Sequence, residues 1–207
     1  MQFKKFTTLG SLVAAGLCAA LASGQIVNSD HNFTSQGWSG GEICKPCHTP
    51  HHAIAGIPRL WNHELTTANY TMHEGPGTAE ADFDYRSRLC LSCHDGTVAL
   101  DSFGGQSGVT FLTGDKNLGT DFEDDHPVGS DALYPPDPQP TWWAGAFHDP
   151  ADVPSSTPLR DWVDGNGVTQ QVVSCTTCHE PHNRGGWDSM LRTSNAGSAI
   201  CLGCHIK

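Results

Sequence analysis

Apolar positions in this chain come in short clusters, and few of them repeat at a helical or strand period. The longest apolar run, LGSLVAAGLCAALA at residues 9–22, follows Lys4 and Lys5 and precedes small residues. That layout predicts a secretory signal over residues 1–24. The run is too short and too rich in Gly and Ala to read as a membrane span, and no later segment reads as one. Residues 159–175, LRDWVDGNGVTQQVVSC, predict a β-hairpin, with strand-like flanks around the turn-forming Asp164-Gly165-Asn166-Gly167. Short helices are expected within 80–93 (EADFDYRSRLCLSC) and 187–204 (WDSMLRTSNAGSAICLGC). Residues 135–158 are rich in Pro and predict a loop, in which Trp142 and Trp143 read as core-filling side chains.

Charge narrows the range of partners. The 22 acidic residues all lie beyond residue 24, whereas Lys4 and Lys5 leave with the signal. Nine basic residues remain, for a formal charge of −13. Such a chain is a poor match for nucleic acid, which rewards basic surfaces, and it is repelled by anionic membranes. The acidic segment 121–131, DFEDDHPVGSD, offers oxygen ligands without the EF-hand spacing and reads as a solvated loop before it reads as a metal site.

Cysteine spacing carries the sharpest chemistry. Of nine cysteines, Cys18 falls in the signal. The other eight form four C-x-x-C-H units: Cys44, Cys47 and His48; Cys90, Cys93 and His94; Cys175, Cys178 and His179; Cys201, Cys204 and His205. An exported chain with eight cysteines suggests disulfides, and paired C-x-x-C units suggest zinc. Neither calls for a histidine directly after every pair. C-x-x-C-H is the attachment signature of a c-type haem: two thiols add to the vinyl groups on one porphyrin edge, and the next residue lies over the iron. Four covalently bound haem c groups are therefore expected. With few aliphatic residues available, the expected fold is a multihaem c-type cytochrome, mostly irregular coil with short helices and a small β-hairpin, wrapped around a stacked four-haem core.

The two ends of the chain repeat one another. CKPCHTPH and CTTCHEPH share C-x-x-C-H-x-P-H, and each is followed by a plainer unit, CLSCH or CLGCH. This predicts an N-terminal arm at 25–43 and one tetrahaem domain at 44–207. Within that domain lie a dihaem half at 44–94, an insertion at 95–174 and a second dihaem half at 175–207.

Four irons have eight axial positions, and the motif histidines fill four. Met72 and Met190 could serve two more at most, whereas eight other histidines are present. Bis-histidine ligation follows, with low-spin iron and lower potentials than His/Met ligation gives. Saturated irons carry electrons but have no place for substrate, so the reading is an electron carrier and not an enzyme. His51 and His182 are the first candidates for distal ligands. They occupy equivalent places after a proline, and each stands too close to its own motif histidine to reach round the same haem. His126 is held in an extended loop by Pro127. His63, behind Leu60-Trp61, reads equally as a ligand or as a partner of a haem propionate. His31 lies in the arm and, extended, could span on the order of 40 Å from Cys44. His52, His73 and His148 read as ordinary surface residues. Five candidates for four places mean that one does not ligate, or that a place is filled from another subunit.

SDHNF, CHTPHHA, LWNH, CLSCHDGTVA, DHPVG, SCTTCHEPHN and the terminal CLGCHIK occur in this order through most of the mature chain. This ordered set resembles the OmcE-like tetrahaem family of extracellular cytochrome filaments, or nanowires, within the multihaem cytochromes with doubled C-x-x-C-H motifs. Residues 129–160 have no counterpart in the resemblance. It implies a subunit that polymerises head to tail with copies of itself, with His31 ligating a haem of the next copy, and an exported protein at the cell surface or beyond it. Other redox cytochromes or extracellular electron acceptors would be its further partners. The competing readings are a soluble monomeric periplasmic shuttle and a multihaem reductase with one open haem. Asn32 and Asn69 fit the N-x-S/T glycosylation pattern, which is too short to carry weight.

Overall fold

A computed structural model describes residues 25–136 and 138–207. The expected signal, with Cys18, lies outside the described residues. Two antiparallel hairpins and three short α-helices are joined by irregular chain and single 3₁₀ turns. No helix among the described residues is long and apolar enough to cross a membrane.

The first hairpin pairs β1 (Asn69–Met72) with β2 (Gly75–Thr78), in a register of Asn69 opposite Thr78. Tyr70 and Met72 alternate inward and are buried. The sequence pattern does not announce β2, because its residues GPGT are poor strand formers. Packing demands one of them: a Cβ on Gly77 would come within 2.7 Å of Met72 and of the Asp82 carboxylate. Thr78 then caps α1 (Ala79–Asp82), accepting from the Ala81 amide.

Helix α2 (Tyr85–His94) carries the second C-x-x-C-H unit in its last turn. Asp84 starts it, accepting from the Arg86 amide at 3.0 Å and the Ser87 hydroxyl at 2.6 Å. Its fully buried Leu91 packs with Tyr70, Met72, Ala79, Phe83 and Phe122 in the first apolar cluster. Burying each of the larger members is worth about 1.5–3 kcal/mol. Asp95 fixes the helix end: its carboxylate accepts from Thr66, Tyr70 and Thr97. The second motif is thus anchored from both sides.

The hairpin expected at 159–175 is present, as β3 (Arg160–Val163) and β4 (Thr169–Val172). Asp164 shapes its turn by accepting from the Asn166 and Val168 amides. β4 leads into α3 (Cys175–Cys178), a single turn capped by Ser174 and Thr177 in a capping box. α2 and α3 meet where Ser87 accepts from the Cys175 amide and contacts Ser174 at 3.0 Å.

The short helices expected in 187–204 are single 3₁₀ turns, at Asp188–Met190, Ala196–Ser198 and Cys201–Gly203. Left-handed Ser189, Met190, Gly197 and Ser198 break any longer helix. One expectation needs correction: Trp142 and Trp143 do not share one role. Trp143 is buried in a second cluster with Tyr134 and Val173, whereas Trp142 is 61% exposed.

Candidate haem-binding site

Each C-x-x-C-H unit makes one helical turn. The amide of the motif histidine donates to the carbonyl of the first cysteine at 2.8 Å for His48, and at 2.9 Å for both His179 and His205, while His94 ends α2. The turn brings both thiols and the imidazole to one side of the backbone, as attachment at one porphyrin edge requires.

The first and third units are held by the same backbone clamp. In the first, Thr49 donates to Leu60 and Asn62 to Cys47, each at 2.9 Å. In the third, Glu180 donates to Met190 and Arg192 to Cys178, each at 2.8 Å. Both clamps turn on two consecutive left-handed residues, Arg59-Leu60 and Ser189-Met190. None of them is glycine, so each costs roughly 1–3 kcal/mol. The strain places a carbonyl: His48 Nδ1 donates to Arg59 at 2.8 Å and His179 Nδ1 to Ser189 at 2.9 Å. In the second unit His94 Nδ1 donates to Lys116 at 2.8 Å.

A carbonyl only accepts, so in these histidines Nδ1 carries the proton and Nε2 keeps its lone pair. That tautomer is the one an iron ligand needs. His31 Nδ1 lies 3.2 Å from the Pro181 carbonyl, His126 Nδ1 2.9 Å from Pro127, and His182 Nδ1 3.2 Å from the Glu180 carboxylate. Burial pushes His31 and His48 below the usual histidine range, with neighbouring imidazoles adding to the effect, so both favour the neutral, ligating form.

Three motif histidines face a second histidine ring. Centroids lie 6.1 Å apart for His31 and His94, 6.1 Å for His48 and His182, and 6.4 Å for His126 and His205. Two metal–imidazole bonds of about 2 Å in line, with the ring half-widths added, put centroids roughly 6 Å apart. The pairs are therefore spaced to hold one iron each. His31 faces His94 of its own chain, where the resemblance implied a reach into another copy. His51 is exposed and faces no motif histidine. Neither does His63, which is buried: Nδ1 lies 2.8 Å from the Glu64 carbonyl, and Nε2 lies 3.0 Å from the Ala99 carbonyl and 3.5 Å from Cys93. The expectation of a ligand role for His63 is not met by this placement. His73 Nε2 is likewise taken, by the Asp125 carbonyl at 3.0 Å.

Burial pushes Cys47 and Cys178 up to about 11, and it raises Cys93 and Cys204 as well, whereas a hydrogen bond with Cys90 lowers Cys175. Among the described residues no three His, Cys, Asp or Glu side chains converge as a metal ion's ligands. The buried indole nitrogens of Trp38 and Trp61 have no partner among the described residues, and Trp61 stands edge-on to His48 at 5.9 Å. Such donors fit the propionate carboxylates of a haem. The second and third units lie side by side, where Ser87 of α2 meets the Cys175 amide.

The carbonyl partners of the motif histidines have no side-chain signature and escape sequence reading. Glu180, between His179 and His182 in CHEPH, was legible in principle as an acceptor two residues from a candidate ligand.

These features define a multihaem c-type cytochrome, a protein of electron transfer with covalently bound haem c. Residues 167–207 match the family model described as the doubled CXXCH motif. No curated protein matches the chain.

Proposed function

We propose that the chain carries electrons along four covalently bound bis-histidine haems and catalyses no reaction of its own. The facing histidine pairs carry this reading, since a ligand on each side of an iron leaves no position for substrate. The bound haems supply one-electron redox chemistry. The protein's residues attach them, fix the imidazole tautomers and order the sites from Cys44 to Cys204. His51 completes the pair with His179. It stands three residues after His48, as His182 stands three after His179, and His182 already faces His48. The two halves then exchange their second histidines.

The finer proposal is assembly with copies of itself into an extracellular filament whose haems stack into one path. Support for it comes from the ordered motifs that resemble the filament cytochromes, and from the exposure of Cys44 and Cys201 in the first and last units. The test has two parts. The intact mass of the secreted protein should exceed that of the polypeptide by four haems, and cyanide should leave its spectrum unchanged. Negative-stain microscopy of the same fraction should show filaments; dispersed particles alone would favour the periplasmic shuttle.

A further inference from the structure

The four motif histidines differ in what their Nδ1 meets. His48, His94 and His179 donate to the carbonyls of Arg59, Lys116 and Ser189. Among the described residues no acceptor meets His205 Nδ1. Its ring lies instead against Phe147, with centroids 4.5 Å apart. Phe147 comes from the insertion and is bridged to His205 as a cross-strand neighbour: His148 donates to Cys204 and Ile206 to Ala146, each at 2.8 Å. Phe147 is itself stacked on Trp143 at 4.5 Å and 12°, so an apolar wall replaces the carbonyl.

The second histidines differ too. His182, facing His48, has its Nδ1 3.2 Å from a carboxylate, Glu180, which is nearly buried and also accepts from the Arg184 amide at 2.8 Å. His31 and His126 have only carbonyls, those of Pro181 and Pro127. The His48–His182 pair therefore has a carbonyl and a carboxylate behind it. The His31–His94 pair has two carbonyls, and the His126–His205 pair has one.

A hydrogen bond from Nδ1 raises the basicity of the ligating nitrogen, and a carboxylate raises it more than a carbonyl. A more basic ligand favours ferric over ferrous iron and lowers the reduction potential. We infer that the reduction potential is lowest at the His48–His182 site, which Glu180 backs, and highest at the sites with a single acceptor, the His126–His205 pair, where Phe147 leaves His205 without one, and the proposed His51–His179 pair. The inference rests on the bis-histidine reading. Electrons entering near Cys44 then run downhill towards the two units of the second half, one electron reducing one ferric iron at each site. Phe147 and Glu180 are positioning residues, acting on the iron only through His205 and His182.

The test is a spectroelectrochemical redox titration of the holoprotein, with dithionite as reductant and ferricyanide as oxidant. Haem content and spin state, measured on the same samples, check the bis-histidine reading separately. Replacing Cys201 and Cys204 by Ala should remove one of the two most positive components of the titration. Glu180→Gln should move the most negative component upward by several-fold in its reduction equilibrium, tenfold being about 59 mV for one electron. Phe147→Gln, which offers an amide oxygen, should move one of the two most positive components downward, whereas Phe147→Leu, which keeps an apolar wall, should leave it in place. Should the double cysteine variant not fold, the two Phe147 variants decide. Loss of a middle or lowest component, equal effects of Gln and Leu, or one uniform potential for all sites would overturn the inference.

Discussion

His48 and His182 come from opposite ends of the chain, yet their rings lie 6.1 Å apart with planes only 19° from parallel. Each holds its Nδ1 against an oxygen acceptor and keeps Nε2 for a metal. On the proposed ligation the pair would tie the first half to the second through one iron. His182→Ala should keep the full haem content and convert about one haem in four to high spin, read by electron paramagnetic resonance with a haemochrome assay. A fully low-spin variant would show that His182 is not the ligand.

His31 faces His94 of its own chain. His31→Ala should therefore open one site in dilute, monomeric protein as well as in concentrated protein. Were His31 to serve a neighbouring copy, the wild type itself would gain high-spin iron on dilution, which is the opposite of the expected concentration-independent spectrum.

His51 and His63 separate cleanly by variant. His51→Ala should create a high-spin site at the His179 unit. His63→Ala should leave the spin state unchanged and lower stability by about 1–3 kcal/mol, because it strands buried acceptors. Guanidinium denaturation of the holoprotein, followed alongside the spectrum, reads both effects. A spin change in His63→Ala with none in His51→Ala would exchange the two assignments.

Much of the site was legible because its chemistry is written in spacing. Four C-x-x-C-H units need no tertiary information, and the surplus of histidines over methionines pointed to two-histidine ligation. Which ring meets which could not be read, because each pair joins segments brought together only by the fold. The hairpin at β3–β4 was legible from Asp164 to Gly167 and its branched flanks. The hairpin at β1–β2 was not, since Gly75, Pro76 and Gly77 deny the strand pattern, and Gly77 is there for the close approach of Met72 and Asp82. The left-handed residues of 189–198 keep the short helices expected there to single 3₁₀ turns.

The two apolar clusters are small, and neither contains a motif histidine. A chain with its eight mature cysteines replaced by Ala should not fold cooperatively, and circular dichroism on heating should show a gradual change without a sigmoidal transition. A sharp transition would mean that the polypeptide folds without haem.

The central claim is that histidines occupy both sides of every iron. Spin-quantified electron paramagnetic resonance of the fully oxidised protein, set against its measured haem content, tests it most directly. Four haems per chain with all the iron low spin are expected. A high-spin signal amounting to one haem per chain or more would contradict it, and would point to an open site and an enzymatic role.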